Sequence, residues 1–229
     1  MIKQKLSFNA DWICIKGILS IAVMTDIFFP PRIGKDYARG GIFGKKILAI
    51  GESHYCGTGC ADCGVCGRHP ECADFTKRVV EWCLDPSVER EGWMNTYLKF
   101  ERSLVGKETT PQNSRKIWDS IAFYNFLQVA MGGAREAGTI QQYRDAAEPF
   151  LATLENLQPD VIVVWGVRLW NNLPNVRWTD GDRLNVDGYD VQNGYYTLAS
   201  GKKVKAVCVY HPSTGYDWLF WYKVISSFL

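Results

Sequence analysis

Three short runs of almost unbroken apolar residues constrain this chain more than any other feature: Ile47-Leu48-Ala49-Ile50, Val161-Ile162-Val163-Val164-Trp165, and Val204 to Tyr210, broken only by Lys205. A strand with one wet face alternates apolar and polar residues, whereas a strand covered on both faces is apolar at nearly every position. Runs of this length, closed by Gly51, Gly166 and His211-Pro212, predict strands of a parallel sheet between two helical layers. The intervening residues supply the helices. Apolar positions recur at helical spacing over residues 75–84 and 93–104. Residues 140–157 read as one further helix, with Thr139 as N-cap and Pro159 beyond its end. A polar loop precedes residues 117–122, which lead into Phe123-Tyr124-Asn125-Phe126, a helix end or a strand. Residues 188–196 are polar and turn-rich, Ser200-Gly201 turns a hairpin into the last strand, and residues 216–229 form a closing aromatic helix. The expected fold class is α/β, a three-layer sandwich around a central, mainly parallel four-stranded sheet.

With 229 residues and 47% hydrophobic content, the chain can bury the core of one domain. We expect an N-terminal extension over residues 1–29 and one α/β domain over 30–229, with a Cys-rich insertion at 56–83. Residues 12–24 are largely apolar but contain Lys16, are short for a membrane span, and are not followed by a small-residue cleavage site. Met24 is an alternative translation start, and the expectation is a soluble, cytoplasmic monomer. The nine Trp, eleven Tyr and eleven Phe belong mainly to the core, so aromatic richness alone does not argue for base stacking. A net charge of +2 lacks the excess of many nucleic-acid binders. Two local basic clusters, Arg32, Lys35, Arg39, Lys45 and Lys46 before the first apolar run and Lys202, Lys203 and Lys205 around the start of the last, read either as a shared rim or as solvated surface.

In a sheet of this kind, sites form outside the carboxyl ends of the strands. The segments there are Gly51-Glu52-Ser53-His54-Tyr55, Phe123-Tyr124-Asn125, Trp165-Gly166 and Tyr210-His211-Pro212-Ser213. Their order and spacing, over about residues 46–229, resemble those of the uracil-DNA glycosylase superfamily. The resemblance implies a uracil-DNA glycosylase-like fold and a pocket for an extruded base, read on its Watson–Crick edge. It makes Asn125 the base reader, whose carboxamide offers a donor and an acceptor together; a helix or turn cap is the competing role. It makes His211 the donor to the anion that grows on uracil O2 as the glycosidic bond breaks. Ser213 becomes a phosphate donor, and Thr214, Gly215 and Tyr216 the loop that enters a duplex, with Tyr216 stacking in the vacated space. Tyr55 falls where some members crowd a thymine methyl; a place in the core is the competing role.

The first motif departs from the family pattern. Ser53 stands where many members carry the water-positioning Asp, and His54 where they carry Pro. Glu52, Ser53 and His54 are then the groups left to organise water. The leading reading is an N-glycosidic hydrolase acting on uracil or a related damaged base in DNA. The alternatives are a catalytically inactive nucleic-acid-binding module, which the altered motif favours, and a hydrolase of free nucleosides, which the low net charge favours.

Six of the eight cysteines, Cys56, Cys60, Cys63, Cys66, Cys72 and Cys83, follow the first motif closely. The glycine-rich Cys60-x2-Cys63-x2-Cys66, with His69 beside it, suits zinc or an iron–sulfur cluster better than a disulfide framework in a cytosolic chain. Cys56, Cys60, Cys63 and Cys66 are the candidate ligands, reduced thiols in a loop are the alternative, and no organic cofactor is expected.

Overall fold

The computed structural model describes residues 27–56, 72–213 and 215–229. The proposed extension and the Met24 start lie almost wholly outside these residues. Phe29, however, is fully buried, so the packed unit reaches back before residue 30.

The elements in chain order are β1 (Arg32–Ile33), β2 (Ile47–Gly51), α1 (Phe75–Leu84), α2 (Asn95–Val105), α3 (Pro111–Asp119), β3 (Ile121–Asn125), α4 (Ile140–Asp145), α5 (Ala147–Leu157), β4 (Val161–Trp165), α6 (Val167–Trp170), β5 (Trp178–Asp180), β6 (Leu184–Val186), β7 (Tyr189–Val191), β8 (Asn193–Thr197), β9 (Lys203–Val209) and α7 (Trp218–Ser226). One mixed sheet of seven strands runs β1-β3-β2-β4-β9-β8-β5, and β6 and β7 form a separate hairpin. Its centre, β3-β2-β4-β9, is parallel, and its edges are antiparallel. The fold is therefore α/β with a parallel centre as expected, but the sheet is wider than four strands.

The sheet has helices on both faces, and the alternation along β2 shows why its sequence is apolar throughout. Ile47 and Ala49 join a core with Val80 of α1, Phe100 of α2, Trp118 of α3 and Trp221 of α7. Leu48 and Ile50 join the opposite core with Tyr143 of α4, Phe150 of α5 and Leu169 of α6. Both faces of the strand are dry.

Local chemistry sets the helix ends. Thr110 caps α3 by accepting from Asn113 N, with Pro111 following, so part of the stretch read as a polar loop is helical. Residues 140–157 divide at Ala146 into α4 and α5, and Thr139 with Gln142 forms a capping box on the first. The region over 188–196 is not irregular: Asp187 and Gly188, with φ of 49° and 86°, turn β6 into β7, and β8 follows.

Polar groups in the core are matched. The carboxylate of Glu101, 2% exposed, accepts from Trp118 Nε1 at 2.9 Å, Ser114 Oγ at 2.6 Å and the Thr109 hydroxyl. Arg32, 6% exposed, is held by Glu81, Asp119 and the Trp118 carbonyl.

Candidate functional site

The chain runs from β2 to β3 on one side and returns to β4 on the other side of β2. Such a reversal opens a crevice at the carboxyl ends of the two strands on either side of it. Gly51-Glu52-Ser53 leaves β2 there, Gly166-Val167-Arg168 leaves β4, Asn125 ends β3 and His211 follows β9. The structure thus gathers the four motifs along one edge of the sheet.

The Glu52 side chain is only 10% exposed and bridges the crevice, with one carboxylate oxygen 2.9 Å from Arg168 Nε. Its other oxygen accepts from the Tyr143 hydroxyl. Burial works against the Arg168 cation, but the Glu52 bond and charge prevail and hold its pKa above the ordinary value. Loss of hydration, then the Glu52 bond and charge, push the Tyr143 hydroxyl well above the ordinary tyrosine range. Both oxygens of Glu52 already accept bonds, so the geometry suits an anchor of fixed charge better than a free general base. Neither Tyr143 nor Arg168 was legible as a site residue; each lies far along the chain and carries no motif.

His54 was expected to organise water, but the structure places it in the core at 4% exposure. Its ring lies between Phe29 and Phe75, with centroids 4.9 and 4.8 Å away. Asn125 Nδ2 lies 3.0 Å from its Nδ1 and 3.1 Å from its Nε2, and Thr76 Oγ1 lies 2.9 Å from Nε2. A carboxamide nitrogen only donates, so it serves whichever ring nitrogen is unprotonated, and the Thr76 hydroxyl can donate to or accept from Nε2. Burial pushes the pKa down to about 3, which keeps the ring neutral. His54 is therefore a positioning residue for Asn125.

Asn125 is 3% exposed, so its amide lies beneath the crevice floor. A Cβ at Gly51 would come within 2.3 Å of Asn125 Oδ1, which accounts for glycine at the end of β2. Ser53 is half-buried, and Tyr55 is 43% exposed beside the loop after β3, where it bridges Met131.

At the far end of the crevice His211 is exposed at its edge and lies edge-to-face with Trp165, centroids 6.3 Å apart. Its Nδ1 lies 2.9 Å from Ser213 Oγ. Loss of hydration around the ring holds its pKa below the usual histidine value, the Glu52 carboxylate opposes that shift, and the Arg168 guanidinium adds to it. Gly166, at φ 98°, carries the chain away from β4 with space for a Cβ only at 3.5 Å from His211 Cβ.

Tyr216 is not placed to enter a duplex. It is 6% exposed, stacked on Trp221 at 5.9 Å and 15°, and its hydroxyl donates to Ser103 Oγ at 2.8 Å. The aromatic face that would fill a vacated base position is occupied by the core. Thr214 lies outside the described residues, as do Cys60, Cys63, Cys66 and His69 of the suggested metal segment. Cys56 is described; it is half-buried, and its N–H donates to the Met131 carbonyl at 3.1 Å. Among the described residues, no group of three or more His, Cys, Asp or Glu is placed to hold a metal.

The basic clusters gather around the opposite, amino end of the sheet. Lys46 precedes β2, Lys203 opens β9, and Lys205 pairs in register with Val161 at the start of β4. Several of these charges are already answered: Arg32 and Lys35 by Asp119, Arg39 by Asp36, and Lys202 by Asp160. Two surface depressions, of about 400 and 300 Å³, lie along α2 and α3 and are lined by none of the four motifs. No helix among the described residues is long and apolar enough to cross a membrane. Neither a scan against protein-family models nor a search of curated proteins finds a match for this chain.

Proposed function

We propose that the protein is an N-glycosidic hydrolase of the uracil-DNA glycosylase type, acting on uracil or a related damaged base in DNA. The observation that carries the reading is the convergence of Glu52, Asn125 and His211-Pro212-Ser213 on the carboxyl ends of β2, β3 and β9, three of the four parallel strands at the centre of the sheet. At the usual strand spacing, the axes bearing Asn125 and His211 lie roughly 14 Å apart. Asn125 reads the base edge with the carboxamide capacity that His54 leaves it. His211, neutral and with its Nδ1 taken by Ser213, turns an Nε2–H toward the base oxygen on which charge grows, a donor of greatest value in the transition state. Glu52, fixed by Arg168 and Tyr143, supplies the negative charge that a cationic sugar favours. Zinc or an iron–sulfur cluster at Cys56, Cys60, Cys63 and Cys66 belongs to the same proposal as a structural support.

A second reading is supported by the burial of Asn125 against His54 and by Ser53 at the position of the water-positioning acid: a nucleobase-binding module without catalysis. Base release and incision on oligonucleotides carrying uracil, hypoxanthine or xanthine separate the two. The hydrolase reading expects release by the wild type, and His211→Ala to lower turnover by roughly 10²- to 10³-fold with little change in binding. Binding without release supports the module. Binding of free nucleosides, indifferent to salt, overturns both in favour of a small-molecule hydrolase.

A further inference from the structure

A neutral His211 and the Ser213 hydroxyl cannot both take the roles that the family resemblance gives them. For Nε2 to carry the proton aimed at the base, Nδ1 must accept, and the group 2.9 Å from Nδ1 is Ser213 Oγ. A serine hydroxyl has one proton. Once that proton is given to His211, none remains for a phosphate; if Ser213 gives it to a phosphate instead, Nδ1–H must donate to Oγ, and Nε2 faces the base without a proton.

A cation stands beside the same residue. Lys99 Nζ, on α2, donates to the Ser213 carbonyl at 2.9 Å. An ammonium has three donors, so two remain for another partner. Among the described residues Lys99 has no carboxylate ion-pair partner. One helical turn along α2, Ser103 receives the Tyr216 hydroxyl at 2.8 Å. Positions four apart share one helix face, so a single face of α2 holds both residues 213 and 216. Ser213 and Tyr216 are thereby both held on the face of α2 that carries Lys99.

We propose that Lys99 is the residue that contacts a nucleic-acid phosphate beside His211, while the Ser213 hydroxyl is reserved for setting the histidine proton. The inference rests on the nucleic-acid reading above. It is tested by measuring the affinity for a labelled uracil-containing single strand across about 50 to 200 mM salt, where each phosphate contact adds roughly 0.7 to the slope of log affinity against log salt. Lys99→Gln is expected to lower the slope by about that amount. Lys99→Arg, which keeps the charge, restores it, and Ser213→Ala leaves it unchanged. An unchanged slope in Lys99→Gln overturns the assignment while the nucleic-acid reading stands. An equal fall in Lys99→Arg shows that Lys99 serves only to anchor the loop and overturns it also. A fall in Ser213→Ala returns the phosphate to the serine. Wild-type protein without salt-dependent binding overturns the nucleic-acid reading itself, and this assignment with it.

Discussion

His54 shows how one side chain ties the site to the stability of the fold. Its neighbours, Phe29, Phe75, Thr76 and Asn125, carry no charge to compensate a protonated ring. In the unfolded chain a histidine takes up its proton near pH 6.5, whereas in the folded protein burial delays that step to about pH 3. Between those values the unfolded state binds more protons, so stability is complete above about pH 6.5 and falls as the pH drops, by up to ~1.4 kcal/mol per pH unit. Chemical denaturation across this window is expected to show that slope, and His54→Gln to remove most of it. The weaker contribution of His211, depressed in the same direction, remains. A wild-type stability that stays level down to about pH 5 would place the imidazole in water and release Asn125 from it.

At the scale of elements, α2 does more than cover the sheet. Phe100 and Leu104 face the core while Lys99 binds Ser213 and Ser103 binds Tyr216, two residues that lie between β9 and α7. Tyr216→Phe removes the bond to Ser103 and keeps the ring stacked on Trp221, so it should cost about 1 kcal/mol in denaturant unfolding. It should not change any preference between duplex and single-stranded substrate; a selective loss on duplex would return Tyr216 to the role the sequence suggested. The elements legible in the sequence were those whose pattern is local. β2 and β4 show as apolar runs because both faces are dry, β9 does so except where Lys203 and Lys205 are exposed, and α1 and α2 show by helical spacing. Short strands such as β5 and β6 have three residues each and none fully buried, too few for an alternation to separate them from turns. The site followed the same division. The motif positions of Asn125 and His211 were legible, but the pairing of Asn125 with His54 depends on the register that sets Gly51 against Asn125. Lys99 reaches Ser213 across 114 residues of chain, and no local pattern encodes that.

Taken whole, the molecule separates its two kinds of polar surface by the length of the sheet. At the amino end Asp160 organises the lysines: its carboxylate accepts from Lys46 N at 2.9 Å and pairs with Lys202 Nζ at 2.7 Å. Burial works against that carboxylate, but these bonds prevail and hold its pKa below the ordinary range. Lys203 lies over the Tyr195 ring at 4.4 Å, so part of its charge is also engaged. A five-residue strand such as β4 spans roughly 17 Å, about twice the screening length of roughly 8 Å at physiological salt. Charges at the amino end therefore contribute little to the potential at the crevice. If nucleic acid is held at the carboxyl end, the double change Lys203→Gln, Lys205→Gln should leave both the affinity for a short uracil-containing strand and its salt slope unchanged, although it removes two positive charges from a chain whose net charge is only +2. A strand that instead runs over the amino end would lose roughly 1.4 from the slope, two counterions at about 0.7 each. That result would move the nucleic-acid path to the face opposite His211, where none of the four motifs can reach a base.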